Sequence, residues 1–165
     1  MKKYKIGLVI GRFQPFHKGH QYLIDRALEI AEKIVIAVGS SNVKNSNNPW
    51  SYQRRKKILE MFIEKEGITN KVISIVSLPD HPSDDVWLLK TLKKTGKIDV
   101  VIGNNDWVKG IFENVKTPVI TINHYRRRTL EGYKIRRLMR KQKKWEERVP
   151  SYLISKIKKW LDFLE

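Results

Sequence analysis

The segment Gly11-Arg12-Phe13-Gln14-Pro15-Phe16-His17-Lys18-Gly19-His20 sets two histidines three residues apart, with a glycine between them and an arginine upstream. These residue types suit an anionic phosphate. Lys3 to Ile10 is an apolar, β-rich run that reads as a buried strand, and Gln21 to Lys33 repeats Tyr22, Leu23, Ala27, Leu28, Ile30 and Ala31 at helical spacing. The segment is therefore a strand-to-helix turn. At such a turn the first N–H groups of the helix lack partners and the macrodipole is positive, so a phosphate is stabilised there by the backbone itself. His17 and His20 fall on one helical face. Gly19 lacks a β-carbon and would let a phosphate approach closely, and Arg12 can bind one through two donors. A histidine pair also suits zinc. With no cysteine in the chain, and with His81 and His124 far along it in loop-like segments, zinc is the weaker reading.

The elements that must position this turn alternate along the chain. Ile34 to Val38 reads as a second strand, Gly39 to Ser51 as a polar loop expected to be mobile over Asn42 to Asn48, and Tyr52 to Glu66 as a helix with Ile58, Leu59, Phe62 and Ile63 on one face. Lys71 to Ser77 is a third strand, followed by a helix near Ser83 to Lys94, with Ser83 as N-cap and Asp84 and Asp85 in its first turn. Asp99 to Ile102 and Pro118 to Ile122 are further strands flanking a short helix at Asp106 to Asn114. The remainder is helical, with Leu153, Ile154, Ile157, Trp160, Leu161 and Leu164 forming a stripe after Pro150. This order predicts an α/β fold: one doubly wound, mostly parallel five-stranded sheet with helices on both faces and a helical C-terminal part. Ligands of such sheets bind beyond the carboxyl ends of the strands. The loops at Gly11, Gly39, Leu78 and Gly103 all open on that edge.

With 165 residues, the chain is expected to form one domain, residues 1–165. The absence of cysteine fits a reducing, cytoplasmic setting, the N-terminal run reads as a strand rather than a signal peptide, and no stretch approaches the roughly 20 apolar residues of a membrane helix. A formal charge of +17 suits a site that must hold several phosphates, and equally suits nucleic acid. Most of these lysines read as a solvated face, and no known nucleic-acid-binding motif is present.

The first motif resembles the H-x-G-H signature of the nucleotidylyltransferase superfamily, and in its longer form it is similar to the archaeal nicotinamide mononucleotide (NMN) adenylyltransferases. Ile135-Arg136-Arg137 resembles the second superfamily signature. Gly39-Ser40-Ser41, Asn48-Pro49-Trp50, Asp80, Trp87 and Gly103-Asn104 also fall where the archaeal enzymes carry similar residues. The resemblance implies a Rossmann-like fold and adenylyl transfer from ATP to NMN, giving NAD and pyrophosphate. It implies catalytic roles for His17, His20 and Arg136. Gly11, Arg12, Phe13, Gly19, Gly103, Asn104, Ile135 and Arg137 would contact ATP, and Gly39, Ser40, Asp80 and Trp87 would contact NMN. It further implies Mg2+ carried on the substrate phosphates with no protein metal site, and a homo-oligomer.

One departure stands out. Where the archaeal family carries a hydroxyl-bearing Ser-Gly-Thr turn, this chain has Glu131-Gly132-Tyr133. Either Glu131 turns away as a first-turn helix charge, or the phosphates are bound differently. Two other functions fit the residues: an H-x-G-H transferase acting on phosphopantetheine, flavin mononucleotide or an alcohol phosphate, and a non-catalytic nucleotide- or nucleic-acid-binding relative.

Overall fold

The computed structural model describes residues 3–164. Its strands are β1 (Tyr4–Gly11), β2 (Ala31–Val38), β3 (Val72–Ser77), β4 (Val100–Gly103) and β5 (Val119–Thr121). Its helices are α1 (Lys18–Ile30), α2 (Tyr52–Lys65), α3 (Asp84–Thr95), α4 (Asp106–Asn114), α5 (Gly132–Arg140) and α6 (Ile154–Lys158). All four strand pairs are parallel, in the order β3-β2-β1-β4-β5. The winding reverses between β1 and β4. That reversal opens a crevice at the carboxyl edge, between Gly11 and Gly103.

Side chains of a strand alternate between faces, and the two cores follow that period. Val9 of β1 and Ile34, Ile36 and Val38 of β2 pack with α1, α2, α5 and the C-terminal segment. Leu8, Val35 and Ala37 point the other way, into a smaller core with Leu78, Trp87, Ile111 and Phe112 of the α3 and α4 side. Both faces of β1 and β2 are thus dry, which is why these strands read as continuous apolar runs.

Three segments depart from the sequence expectation. Helix α1 ends at Ile30 rather than Lys33, because Ala31 is already paired with Tyr4 of β1, so helix passes into strand with no connecting residue. The Asn42–Asn48 stretch, expected to be mobile, is bonded internally: Asn45 Oδ1 accepts from the N–H groups of Asn47 and Asn48, each at 3.0 Å. The C-terminal stripe does not form one helix. Instead 3-10 turns at Ser151–Leu153 and Leu161–Leu164 flank α6, and the chain breaks where the Trp160 carbonyl accepts the Trp50 indole N–H at 2.7 Å.

Phe62 of α2 is fully buried and packs on Phe16 of the first turn, with ring centroids 4.5 Å apart. Phe62→Ala should cost about 3–5 kcal/mol, read from urea denaturation, because it leaves a cavity under that turn.

Candidate active site

The β1–α1 turn is built around ring packing. Phe13 has a left-handed backbone (φ 54), and its ring folds back so closely that a β-carbon on Gly11 would lie 2.8 Å from it. Phe13 and Phe16 then enclose His20, with centroids 4.7 and 5.6 Å away.

Inside this enclosure the two histidines cap α1 reciprocally. His17 Nδ1 accepts the Gly19 N–H at 3.0 Å, and His20 Nδ1 accepts the His17 N–H at 3.2 Å. The rings stack 3.8 Å apart. An imidazole that accepts at Nδ1 is neutral with its proton on Nε2, so each ring retains one donor, and neither Nε2 is bonded among the described residues. Burial keeps both neutral. It pushes His17 down to about 4 against the slight opposing pull of Glu131, and it pushes His20 well below its usual range with help from His17. A β-carbon on Gly19 would lie 2.8 Å from His17 Cε1, so the glycine makes room for the cap.

Arg136 reaches this turn from α5. It is 2% exposed, its Nη1 donates to the Gln14 carbonyl at 2.6 Å, and its buried Nε has no partner. Burial, then repulsion from Arg12 and Arg140, lowers it to about 10, so it stays cationic at neutral pH. Arg137, next to it on α5, is exposed, as is Arg12 at the mouth. Ile135, expected to contact ATP, is instead fully buried in the large core, because it faces the sheet on α5.

Glu131 precedes α5 but does not cap it with its side chain. Its carboxylate accepts from Arg127 Nε at 2.8 Å and lies 3.6 Å from Lys134 Nζ, and the Arg127 hydrogen bond is the main reason its pKa falls. The departure from the family pattern is thus an anion already paired with two cations.

After β2, on the β1 side of the crevice, Gly39 donates its N–H to the Gly11 carbonyl, Ser40 Oγ donates to Asp80 Oδ1 at 3.0 Å, and Asn42 brackets the Asp80 backbone. Gly39, Ser40 and Asp80 therefore do come together. Trp87 is only 4% exposed, wedged against Phe112 and Trp107. The open aromatic ring at this edge is Trp107, 47% exposed, with its Nε1 donating to Asp84 at 3.2 Å. Gly103 and Asn104 line a shallow cleft with Ile10, Lys109 and Val119, and Asn104 Nδ2 lies 3.2 Å from His124 Nδ1.

Arg55 was not singled out in the sequence as a site residue. Buried, it donates to the carbonyls of Arg12 (2.9 Å), Gly39 (2.8 Å) and Ser40 (3.2 Å), locking the loops after β1 and β2 together. Its position was a signal: it lies in the inward register of Ile58, Leu59 and Phe62, where a charge needs a reason.

A parallel sheet whose first turn presents two neutral imidazole donors beside buried arginines defines a nucleotide phosphate-transfer site. Residues 8–158 match the Cytidylyltransferase-like family, and the chain belongs to it. Among its relatives, a nicotinamide-nucleotide adenylyltransferase of Thermococcus sibiricus is 31% identical over 92% of this chain and 82% of that protein. One from Methanosphaerula palustris is 33% identical over 90% of this chain and 88% of its own. The crystal structure of a bifunctional NMN adenylyltransferase/ADP ribose pyrophosphatase from Francisella tularensis is similar at TM-score 0.76 and 28% identity, over 88% of this chain and 45% of that one. A second structure of that protein holds AMP and a manganese ion and aligns at TM-score 0.72.

The buried histidines make stability depend on pH. The unfolded chain takes a proton on His17 below about 6.5, whereas the folded chain resists until about 4. Stability is thus complete above pH 6.5 and is lost as pH falls toward 4, by about 3 kcal/mol for this group. His17→Asn, which keeps a capping oxygen, should flatten the pH dependence of urea denaturation in that window.

Proposed function

We propose that this protein transfers the adenylyl group of ATP to NMN, forming NAD and pyrophosphate. The observation that carries the reading is the pair of uncharged imidazoles at the α1 N-terminus, with both Nε2–H donors unbonded at the carboxyl edge of the sheet. A phosphate oxygen of NMN attacks the α-phosphorus of ATP, a P–O bond forms, and the bond to the departing pyrophosphate breaks. A phosphate monoester has a second pKa of about 6 and is already an anion, so no general base is required. What is required is alignment of two mutually repelling anions and stabilisation of the charge that builds on the α-phosphate and leaving group.

His17 and His20 would donate to that charge without changing protonation, since both are neutral well below physiological pH. Arg136, with Arg12 and Arg137 beside it, would hold the triphosphate. Gly103 and Asn104 would meet the adenosine, and Ser40 and Asp80 the acceptor, with Trp87 backing the open ring of Trp107. Mg2+ carried on the substrate phosphates would offset their charge, as this ion is usually held largely by substrate oxygens. The expected partners are thus small nucleotides. No helix among the described residues is long and apolar enough to cross a membrane.

Incubation with ATP, Mg2+ and a panel of phosphorylated acceptors should give NAD as the dominant product. A clear preference for phosphopantetheine or flavin mononucleotide would overturn the assignment. His20→Ala should lower turnover on NMN by about 100- to 1,000-fold, the usual cost of one lost transition-state donor. Turnover within a few-fold of the parent would remove the histidines from the reaction.

Glu131 is held by Arg127 and Lys134, so Glu131→Ser should leave ATP affinity within about twofold and cost at most about 1 kcal/mol of stability. A large gain in ATP affinity at low salt would mean that its charge opposes the triphosphate.

A further inference from the structure

We propose that Gln14 is a positioning residue for Arg136, and that the C-terminal turn acts on the phosphate site through it. The proposal rests on the adenylyl-transfer reading for the identity of the anion that Arg136 meets.

Gln14 is 2% exposed and makes two sets of contacts at once. Its side-chain amide pairs in both directions with the Trp50 backbone, Nε2 donating to the Trp50 carbonyl at 3.0 Å and Oε1 accepting the Trp50 N–H at 3.1 Å. Its own carbonyl is the acceptor for Arg136 Nη1. The side-chain pair fixes the orientation of residue 14, and that orientation aims the carbonyl.

Arg136 depends on this one acceptor. Among the described residues it makes no other hydrogen bond, no carboxylate pairs with it, its Nε is orphaned, and Arg12 and Arg140 repel it. A buried cation held by a neutral carbonyl keeps its full charge for an incoming anion, whereas a carboxylate would have neutralised it. The fit is close: a β-carbon at Gly132 would lie 2.9 Å from Arg136 Nη1 and 3.1 Å from the Gln14 carbonyl oxygen.

The other end of the linkage is the C-terminal turn. The Trp160 carbonyl accepts the Trp50 indole N–H, Phe163 packs edge-on against the Trp50 ring at 5.1 Å, and Asp162 binds Arg54 through two bonds of 2.6 and 2.8 Å. Trp50 is therefore gripped from one side by the chain end, and from the other it grips Gln14.

Coupling of this kind is tested by a double-mutant cycle rather than by proximity. ATP affinity is measured by calorimetry in the parent, Gln14→Met, Arg136→Ala and the double variant, with NMN affinity measured alongside. Gln14→Met should weaken ATP about tenfold, leave NMN within about twofold, and add no more than about twofold once Arg136 is already alanine. Trp50→Phe, which removes the indole donor and part of the ring but leaves the Trp50 backbone pairing with Gln14 in place, should weaken ATP about threefold with the same selectivity, and it carries the test if Gln14→Met does not fold. ATP affinity unchanged within twofold in whichever of these variants folds, equal weakening of ATP and NMN, or full additivity with Arg136→Ala would each overturn the proposal. ATP binding needs no acceptor, so failure of the parent to adenylylate NMN would refute the proposed reaction and leave this comparison intact.

Discussion

The structure depends on two imidazoles that must stay uncharged. Each spends its Nδ1 on a backbone N–H at the start of α1, and a protonated ring could not accept that bond. The surroundings serve this condition. Phe13 and Phe16 flank His20, Phe62 supports Phe16, and glycines at 11 and 19 leave space for the rings that close over them. A helix end that would normally need a serine or aspartate cap is completed by the same side chains that present Nε2 donors to the crevice. Capping and ligand recognition are carried by opposite atoms of one ring.

Positive charge is arranged by a complementary rule. Arg55 and Arg136, the two arginines brought deepest into the fold, are held by carbonyl oxygens and not by acids, so both hold position without losing their field. Much of the remaining charge has a different character. Lys56 with Glu60 and Lys109 with Glu113 are exposed pairs one helical turn apart, which contribute little to stability. The net charge of the chain therefore says less about its ligand than the placement of a few guanidinium groups.

The order of strands and helices was legible in the sequence because apolar periods of about 2 and 3.6 mark each element and because the sheet is buried on both faces. The imidazole pair was legible because both partners lie within one helical turn. Long-range contacts were not. Gln14 meets Trp50 across 36 residues and Arg136 across 122, and in each case one partner is a main-chain group, which leaves no mark on residue type. The burial of Trp87 and exposure of Trp107 were equally hidden, since either indole could have faced the core. The C-terminal stripe gave the buried positions Leu153 and Ile157 but neither the exposure of Leu164 nor the break at Trp160, where the chain meets a distant indole.

The two edges of the sheet differ in how much chain they carry. At the amino edge of β2, α1 runs into the strand with nothing between Ile30 and Ala31, whereas at its carboxyl edge the chain wanders from Gly39 to Ser51 before α2 begins. An extra residue at the first junction would shift the Tyr4 to Ala31 register and turn the side chains of β2 to the wrong faces of the sheet. Length variation is accordingly channelled to the opposite edge. New contacts for a larger or differently shaped acceptor can be acquired there by lengthening a loop, with the sheet beneath left unaltered.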